Sequence, residues 1–261
     1  MSDAPLLFDT PEPGIARLTF NRPDKLNALS TPMIRAFEAA LGAIADDSSL
    51  RAVILAGAGE KAFVAGADIA EYRGNRADAF AAYQFESRRV FDTLEALPKP
   101  TIAAVKGYAL GGGFEIALAC DIIVADATAR FGLPEGLLGL SPGGGGTQRL
   151  TRSVGKQMAS DILLAARRIT GERAHQLGLV VELAADEALM EAALARARAM
   201  IAVAPRAQAE MKRLIRQGFD APLPVAQSLE QEVLLRLYAS RDGQEGIEAF
   251  LDKRQPVFTG T

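Results

Sequence analysis

The chain has 261 residues, enough for one large domain, and folding at this length buries roughly 75% of the surface that an unfolded chain exposes. Its 29 basic and 32 acidic residues leave a formal charge of −3, so no global field draws it to nucleic acid or to an anionic membrane. The single cysteine, Cys120, allows no intrachain disulfide and fits a reducing compartment, and no apolar run approaches the ~20 residues of a spanning helix.

The N-terminal MSDAPLLFDT carries neither the basic and apolar regions of a secretory signal nor the Arg/Ser-rich character of a transit peptide, so the expectation is a soluble, cytoplasmic protein. The first strand signal is IARLTF at 15–20. A helix follows at 31–45, with Ser30 as its N-cap and Pro32 in its first turn. RAVILAG (51–57) reads as a strand, 76–97 as a helix stopped by Pro98 and Pro100, and PTIAAVKG (100–107), DIIVADA (121–127) and LVVELA (179–184) as strands. This alternation predicts an α/β protein with parallel pairing, and by pattern alone a doubly wound sheet. Beyond 185 only helices are predicted, at 186–203, 205–217, 224–240 and 244–254, with apolar positions spaced to pack on the body or on another subunit.

Two glycine-rich stretches break this regularity. In VKGYALGGGFEIALAC (105–120), a strand, a bare turn and a helix put Gly112 and Gly113 near a helix start. Free N–H groups there can hold developing negative charge, as an oxyanion hole does. A dinucleotide fingerprint fails, because the third glycine position is Ile116, and no Walker lysine follows either glycine run. The second stretch, FGLPEGLLGLSPGGGGTQRL (131–150), sets Glu135 behind Pro134 and a second bare turn, Gly143 to Gly146, before a helix starting near Thr147; those N–H groups are candidates to hold water or an acyl group. Glu115 and Glu135, each beside a turn that admits a ligand, suit a reaction that removes one proton and delivers another, such as addition of water to a carbon–carbon double bond. A third small-residue step, Ala65-Gly66-Ala67 in KAFVAGADI (61–69), is open enough for another backbone donor.

Together with NRPDKLNALS (21–30) and FLDKRQPVF (250–258), these segments resemble the enoyl-CoA hydratase/isomerase, or crotonase, family along nearly the whole chain. The resemblance implies an α/β fold built as a crotonase-like spiral of ββα units at 1–200, holding an acyl-CoA site, with a C-terminal helical oligomerisation region at 201–261 that forms trimers or dimers of trimers. It implies that Ala67 and Gly112 donate N–H groups to the thioester oxygen, that Glu115 activates water for attack at the β-carbon, that Glu135 protonates the α-carbon, and that Gly143 lies near that water. Members that only shift a double bond typically lack the counterpart of Glu115. For coenzyme A it implies contacts with Ala28, with the step at Ala65, and with the stretch 67–70 including Asp68 and Ile69. Phosphate contacts would come from basic side chains around Lys25 and Arg22, and from Lys253, sometimes across a subunit boundary.

The resemblance therefore implies an acyl-CoA substrate with no metal and no redox cofactor. Dehalogenating relatives carry an aspartate where this chain has SPGGGG. RNA-binding relatives carry a lysine-rich helix, whereas 76–97 mixes Arg76, Arg88 and Arg89 with Asp78, Glu86, Asp92 and Glu95. The segment 72–91, with Tyr83 and Phe85, is expected to border the acyl pocket. His175, the only histidine, is expected to be structural or exposed.

Overall fold

The computed structural model describes residues 4–74 and 76–261. The chain begins with an antiparallel hairpin, β1 (Leu6–Glu12) and β2 (Ile15–Phe20). Helix α1 (Thr31–Asp46) leads to β3 (Ala52–Gly57) and β4 (Ala62–Val64), followed by α2 (Ala77–Ala96). The same unit recurs as β5 (Thr101–Val105), β6 (Tyr108–Leu110) and α3 (Gly112–Ala119), and again as β7 (Ile122–Asp126), β8 (Arg130–Gly132) and α4 (Gly146–Leu164), the last kinked at Gly155. Then come β9 (Ile169–Thr170), α5 (Gly171–Gln176), β10 (Glu182–Ala184), and four helices: α6 (Leu189–Ile201), α7 (Pro205–Gly218), α8 (Leu223–Tyr238) and α9 (Arg241–Leu251).

Each ββα unit adds one strand to each of two sheets. The larger has the order β1-β2-β3-β5-β7-β10 and the smaller β4-β6-β8-β9. Neither order reverses, so there is no topological switch point; the doubly wound sheet suggested by alternation is replaced by a spiral. Sequence pattern missed β4, β6 and β8 as separate strands because each has three residues, too few for a period to register.

The central strands β3, β5 and β7 of the larger sheet are buried on both faces, which is why they read as nearly continuous apolar runs. Alternate side chains divide between two clusters. Val53, Leu55, Ala103, Val105 and Ile123 face the main core with Phe37 of α1 and Phe114 of α3. Ala52, Ile54, Ile102, Ala104 and Val124 face α6, whose Ala193 and Ala197 let it lie close to the sheet. The predicted strand at 179–184 shrinks to three residues, because Leu179 and Val180 belong to the turn after α5 and pack into the main core.

Two local details position the chain before the first ββα unit. Leu26 and Asn27 take left-handed conformations (φ 52° and 57°), held by Asn27, whose Nδ2 donates to the carbonyls of Ala58 (2.9 Å) and Ala62 (2.8 Å) while its Oδ1 accepts the Arg22 N–H (2.9 Å). Ser30 occupies the N-cap place of α1 but makes no side-chain cap. The Glu71 carboxylate takes that part from 40 residues away, accepting the Thr31 N–H at 3.1 Å and the Thr31 hydroxyl at 2.7 Å. Glu71→Ala is expected to cost about 1 kcal/mol in urea unfolding, the usual worth of a cap, while Ser30→Ala costs under about 0.5 kcal/mol; the reverse order would contradict this assignment.

Candidate active site

In the smaller sheet β4, β6 and β8 are parallel neighbours, so their carboxyl ends emerge side by side. β4 runs into Ala65-Gly66-Ala67, β6 into Gly111 and the start of α3, and β8 into a short turn at Pro134–Leu138 that carries Glu135. A cavity of about 490 Å³ lies over these ends. Crevices outside the carboxyl ends of parallel strands are where α/β proteins bind ligands.

Glycine is required where these turns meet. Gly111 has φ +51°, and a Cβ there would stand 3.0 Å from Glu135 Oε1 and 3.6 Å from the Gly66 Cα, so bare backbone separates the second carboxylate from the first turn. At Gly113 a Cβ would come 2.0 Å from the Val64 carbonyl oxygen, so α3 reaches its position only without a side chain there.

Two backbone donors face this space. Leu29 bridges to the strand beside it by donating to the Gly66 carbonyl (2.8 Å) and accepting from the Asp68 N–H (2.9 Å). In such a parallel bridge the N–H of the intervening Ala67 points to the opposite side. Gly112 opens α3, and its N–H has no carbonyl within the helix to meet. Both residues line the cavity, and among the described residues neither N–H has an acceptor. Such a pair can hold a developing oxyanion.

The two carboxylates differ in what surrounds them. Glu115, only 4% exposed, receives the N–H groups of Gly144 and Gly146 on Oε1, each at 2.8 Å. Two of the N–H groups of the second glycine run, which the sequence left open to water or an acyl group, thus go to Glu115, while Gly143 lines the cavity. Burial raises the Glu115 pKa, and those two N–H groups work against the rise. Glu135 has less help: only its own backbone N–H works against the rise, and its Oε2 is buried without a hydrogen-bond partner. Burial, with the Glu115 charge adding to it, pushes Glu135 up to about 7.

Of the residues expected from sequence, Glu115, Glu135, Ala67, Gly112, Ala65, Ile69 and Gly143 come together on the cavity wall. Asp68 and Ala28 stand behind it, tied by Arg22, whose guanidinium donates to the Ala28 carbonyl (2.8 Å) and to Asp68 Oδ2 (2.9 Å). That engagement makes Arg22 a brace for the donor strand. Lys25 is exposed outside the cavity, and Lys253 is exposed at the end of α9, also off the cavity wall. Tyr83 lines the cavity and donates from its hydroxyl to the Leu29 carbonyl (3.0 Å), but Phe85, two residues further along the helix, is 76% exposed and lies off the cavity wall.

Sequence reasoning missed Leu137, Leu138 and Leu140 on the wall, whereas Phe80, Phe91 and Gln84, whose amide donates to the Tyr72 hydroxyl (3.2 Å), fall within the expected segment 72–91. The spacing of Phe80, Tyr83, Gln84, Ser87 and Phe91 on one face of α2 was the available signal. Elsewhere, Nδ1 of His175 donates to the Val180 carbonyl (2.8 Å), a structural role, and burial pushes the Cys120 thiol up to about 12. Arg88 and Arg89 of α2 are paired with Asp92 and Glu38, which leaves no basic stripe there. Among the described residues no group of three or more His, Cys, Asp or Glu side chains could hold a metal ion, and no helix is long and apolar enough to cross a membrane.

The raised pKa of Glu135 has a consequence for stability. A carboxyl group at about 7 when folded, against about 4.3 unfolded, stabilises the fold fully below the lower value and loses that contribution as pH rises through the higher one. Glu135→Gln cannot ionise, so at pH 8 it should be more stable than the native protein by about 1 to 2 kcal/mol, after discounting for partial exposure. At pH 4 that advantage should vanish in thermal or urea unfolding; a variant less stable at pH 8 would contradict the assignment.

The chain matches the model of the enoyl-CoA hydratase/isomerase family over residues 10–261. It is 41% identical over 241 residues to a short-chain-enoyl-CoA hydratase of Clostridium acetobutylicum, covering 92% of each chain. It is 42% identical over 243 residues to a 2,3-dehydroadipyl-CoA hydratase of Escherichia coli, covering 93% of this chain and 94% of that one. The crystal structure of an enoyl-CoA hydratase from Bacillus anthracis superposes with a TM-score of 0.96 at 35% identity, covering 98% of this chain and 100% of the other. A spiral of ββα units, two glycine turns, two carboxylates and full-length identity of this order agree on one assignment: the chain belongs to the enoyl-CoA hydratase/isomerase family.

Proposed function

We infer that this protein is an enoyl-CoA hydratase, adding water reversibly to a trans-2-enoyl-CoA to give a 3-hydroxyacyl-CoA. The observation that carries the reading is the unequal treatment of the two carboxylates beside two free N–H groups. Glu115, with two donors on one oxygen, is kept ready as a base, while Glu135, with a buried oxygen lacking any donor, is kept ready as an acid.

In the reaction the thioester oxygen lies between the Ala67 and Gly112 N–H groups, which polarise the conjugated double bond and stabilise the enolate that forms; one such donor contributes on the order of 3 to 4 kcal/mol. Water held between the carboxylates gives a proton to Glu115 as its oxygen bonds to the β-carbon. Glu135 delivers a proton to the α-carbon. Every proton-handling group is thus supplied by the chain, and the reading carries no metal or redox cofactor.

The wall formed by Tyr72, Phe80, Phe91, Leu137, Leu138 and Leu140 contains no cation and suits an uncharged acyl chain. The reading extends to a cytoplasmic homo-oligomer, with 201–261 as the associating region. Exposed Ile215, Phe219, Leu235, Tyr238, Phe250 and Leu251 on α7 to α9 support that assembly, in which Lys253 could serve a neighbouring subunit's coenzyme A.

The test is the ultraviolet absorbance of conjugated 2-enoyl-CoA thioesters mixed with the purified protein. Crotonyl-CoA and its longer uncharged homologues should lose the chromophore, and Glu115→Gln should slow that loss by about 10² to 10⁴-fold. No loss with any of them, together with appearance of the chromophore from a 3-enoyl-CoA, would make the protein an isomerase instead.

A further inference from the structure

Arg149 stands outside the cavity, yet the second glycine run depends on it. The side chain, 11% exposed, starts one turn into α4. Its Nε and Nη2 form a fork on Glu95 of α2, at 3.1 and 2.8 Å, and Nη2 also reaches Asp92 Oδ1 at 2.9 Å. Its Nη1 donates to the Gly144 carbonyl at 2.6 Å. The N–H of that same Gly144 is one of the two groups that hold Glu115 Oε1. Gly145, between them at φ +100°, has to be bare, because a Cβ there would stand 2.3 Å from Arg149 Nη1.

Four successive glycines have no side chains of their own to fix them and carry the largest backbone freedom of any sequence. Donors that must stay within hydrogen-bond range of one carboxylate oxygen therefore need an outside anchor. We propose that Arg149 is a positioning residue for the hydration reaction: fixed to α2 through Glu95 and Asp92, it pins the Gly144 carbonyl and so holds the Gly144 and Gly146 N–H groups on Glu115. The carbonyl anchor requires the planar guanidinium, which can grip Glu95 with two nitrogens and still offer a third; an ammonium cannot bridge the two partners in that way.

Glu115 also feels the charge of Arg88 of α2, and its own charge bears in turn on Glu135 and on the Tyr72 and Tyr83 hydroxyls. Arg149 acts on it both through space and through the glycine loop, so Arg149→Lys, which keeps the charge and loses the fork, separates the two routes.

The activity readouts rest on the hydratase reading, whereas the backbone readout does not. The experiment measures amide hydrogen exchange across residues 143–147, with kcat, KM and the pH dependence of kcat on crotonyl-CoA, for Arg149→Met, Arg149→Lys and Glu95→Gln, with Arg152→Met as a surface control. In Arg149→Met, exchange in 143–147 should accelerate, kcat should fall about 100-fold with KM little changed, and the acidic limb of the profile should move to higher pH as Glu115 loses its donors. Arg149→Lys should resemble Arg149→Met more than the native protein. If Arg149→Met does not fold, Glu95→Gln, which loosens the anchor while leaving Arg149, should show smaller changes in the same directions. Native exchange and native kcat in both Arg149→Lys and Glu95→Gln would overturn the proposal. If the native protein hydrates nothing, the exchange data still decide the role of Arg149, and only the functional reading falls.

Discussion

A carboxylate taken out of water must either be given hydrogen-bond donors or keep its proton. The rest of this structure can be understood from the way it meets that constraint twice, in opposite ways, within one cavity. Glu115 is given the N–H groups of Gly144 and Gly146; Glu135 is left with a buried oxygen that nothing donates to. Two identical side chains thereby acquire different proton affinities, chiefly through burial and unequal backbone donors. The glycines serve this arrangement as much as they serve a ligand, because a Cβ on Gly144 would come 2.7 Å from Glu115 Oε2 and one on Gly146 would come 3.0 Å from its Oε1.

The spiral fold makes such an arrangement available. Each ββα unit ends a short strand in the smaller sheet beside the previous one, so successive units bring the free N–H of Ala67, then that of Gly112 with the Glu115 carboxylate, then Glu135 to one cavity. Most of the stability lies elsewhere. The larger sheet, buried between the main core and α6, holds the repeating units in register, and the three-residue strands of the smaller sheet are free to be mostly ends.

What the sequence disclosed follows from the range of the interactions involved. Strands such as those within 51–57 and 100–107 were legible because burial on both faces leaves a nearly unbroken apolar run, and the helices because their caps and prolines are local. The two carboxylates stood out for a similar reason, each lying beside a glycine turn. The spiral itself came only through family resemblance, since three-residue strands leave no period. Contacts between distant segments left no trace: Glu71 in place of Ser30 at the start of α1, Arg22 bracing Asp68, and the glycine run turned toward Glu115. Phe85 was misjudged because periodicity names a helix face without saying which face meets the cavity.

The surroundings of the two carboxyl groups set Glu135 to hold its proton to higher pH than Glu115 before substrate arrives. Carboxyl-labelled glutamate introduced into the protein allows the two groups to be followed by carbon NMR across pH, with Glu115→Gln and Glu135→Gln assigning the signals. The account predicts that the Glu135 signal titrates near 7, with Glu115 ionising before it. A Glu135 signal that titrates in the ordinary carboxylate range, or a Glu115 that keeps its proton longer than Glu135, would contradict it.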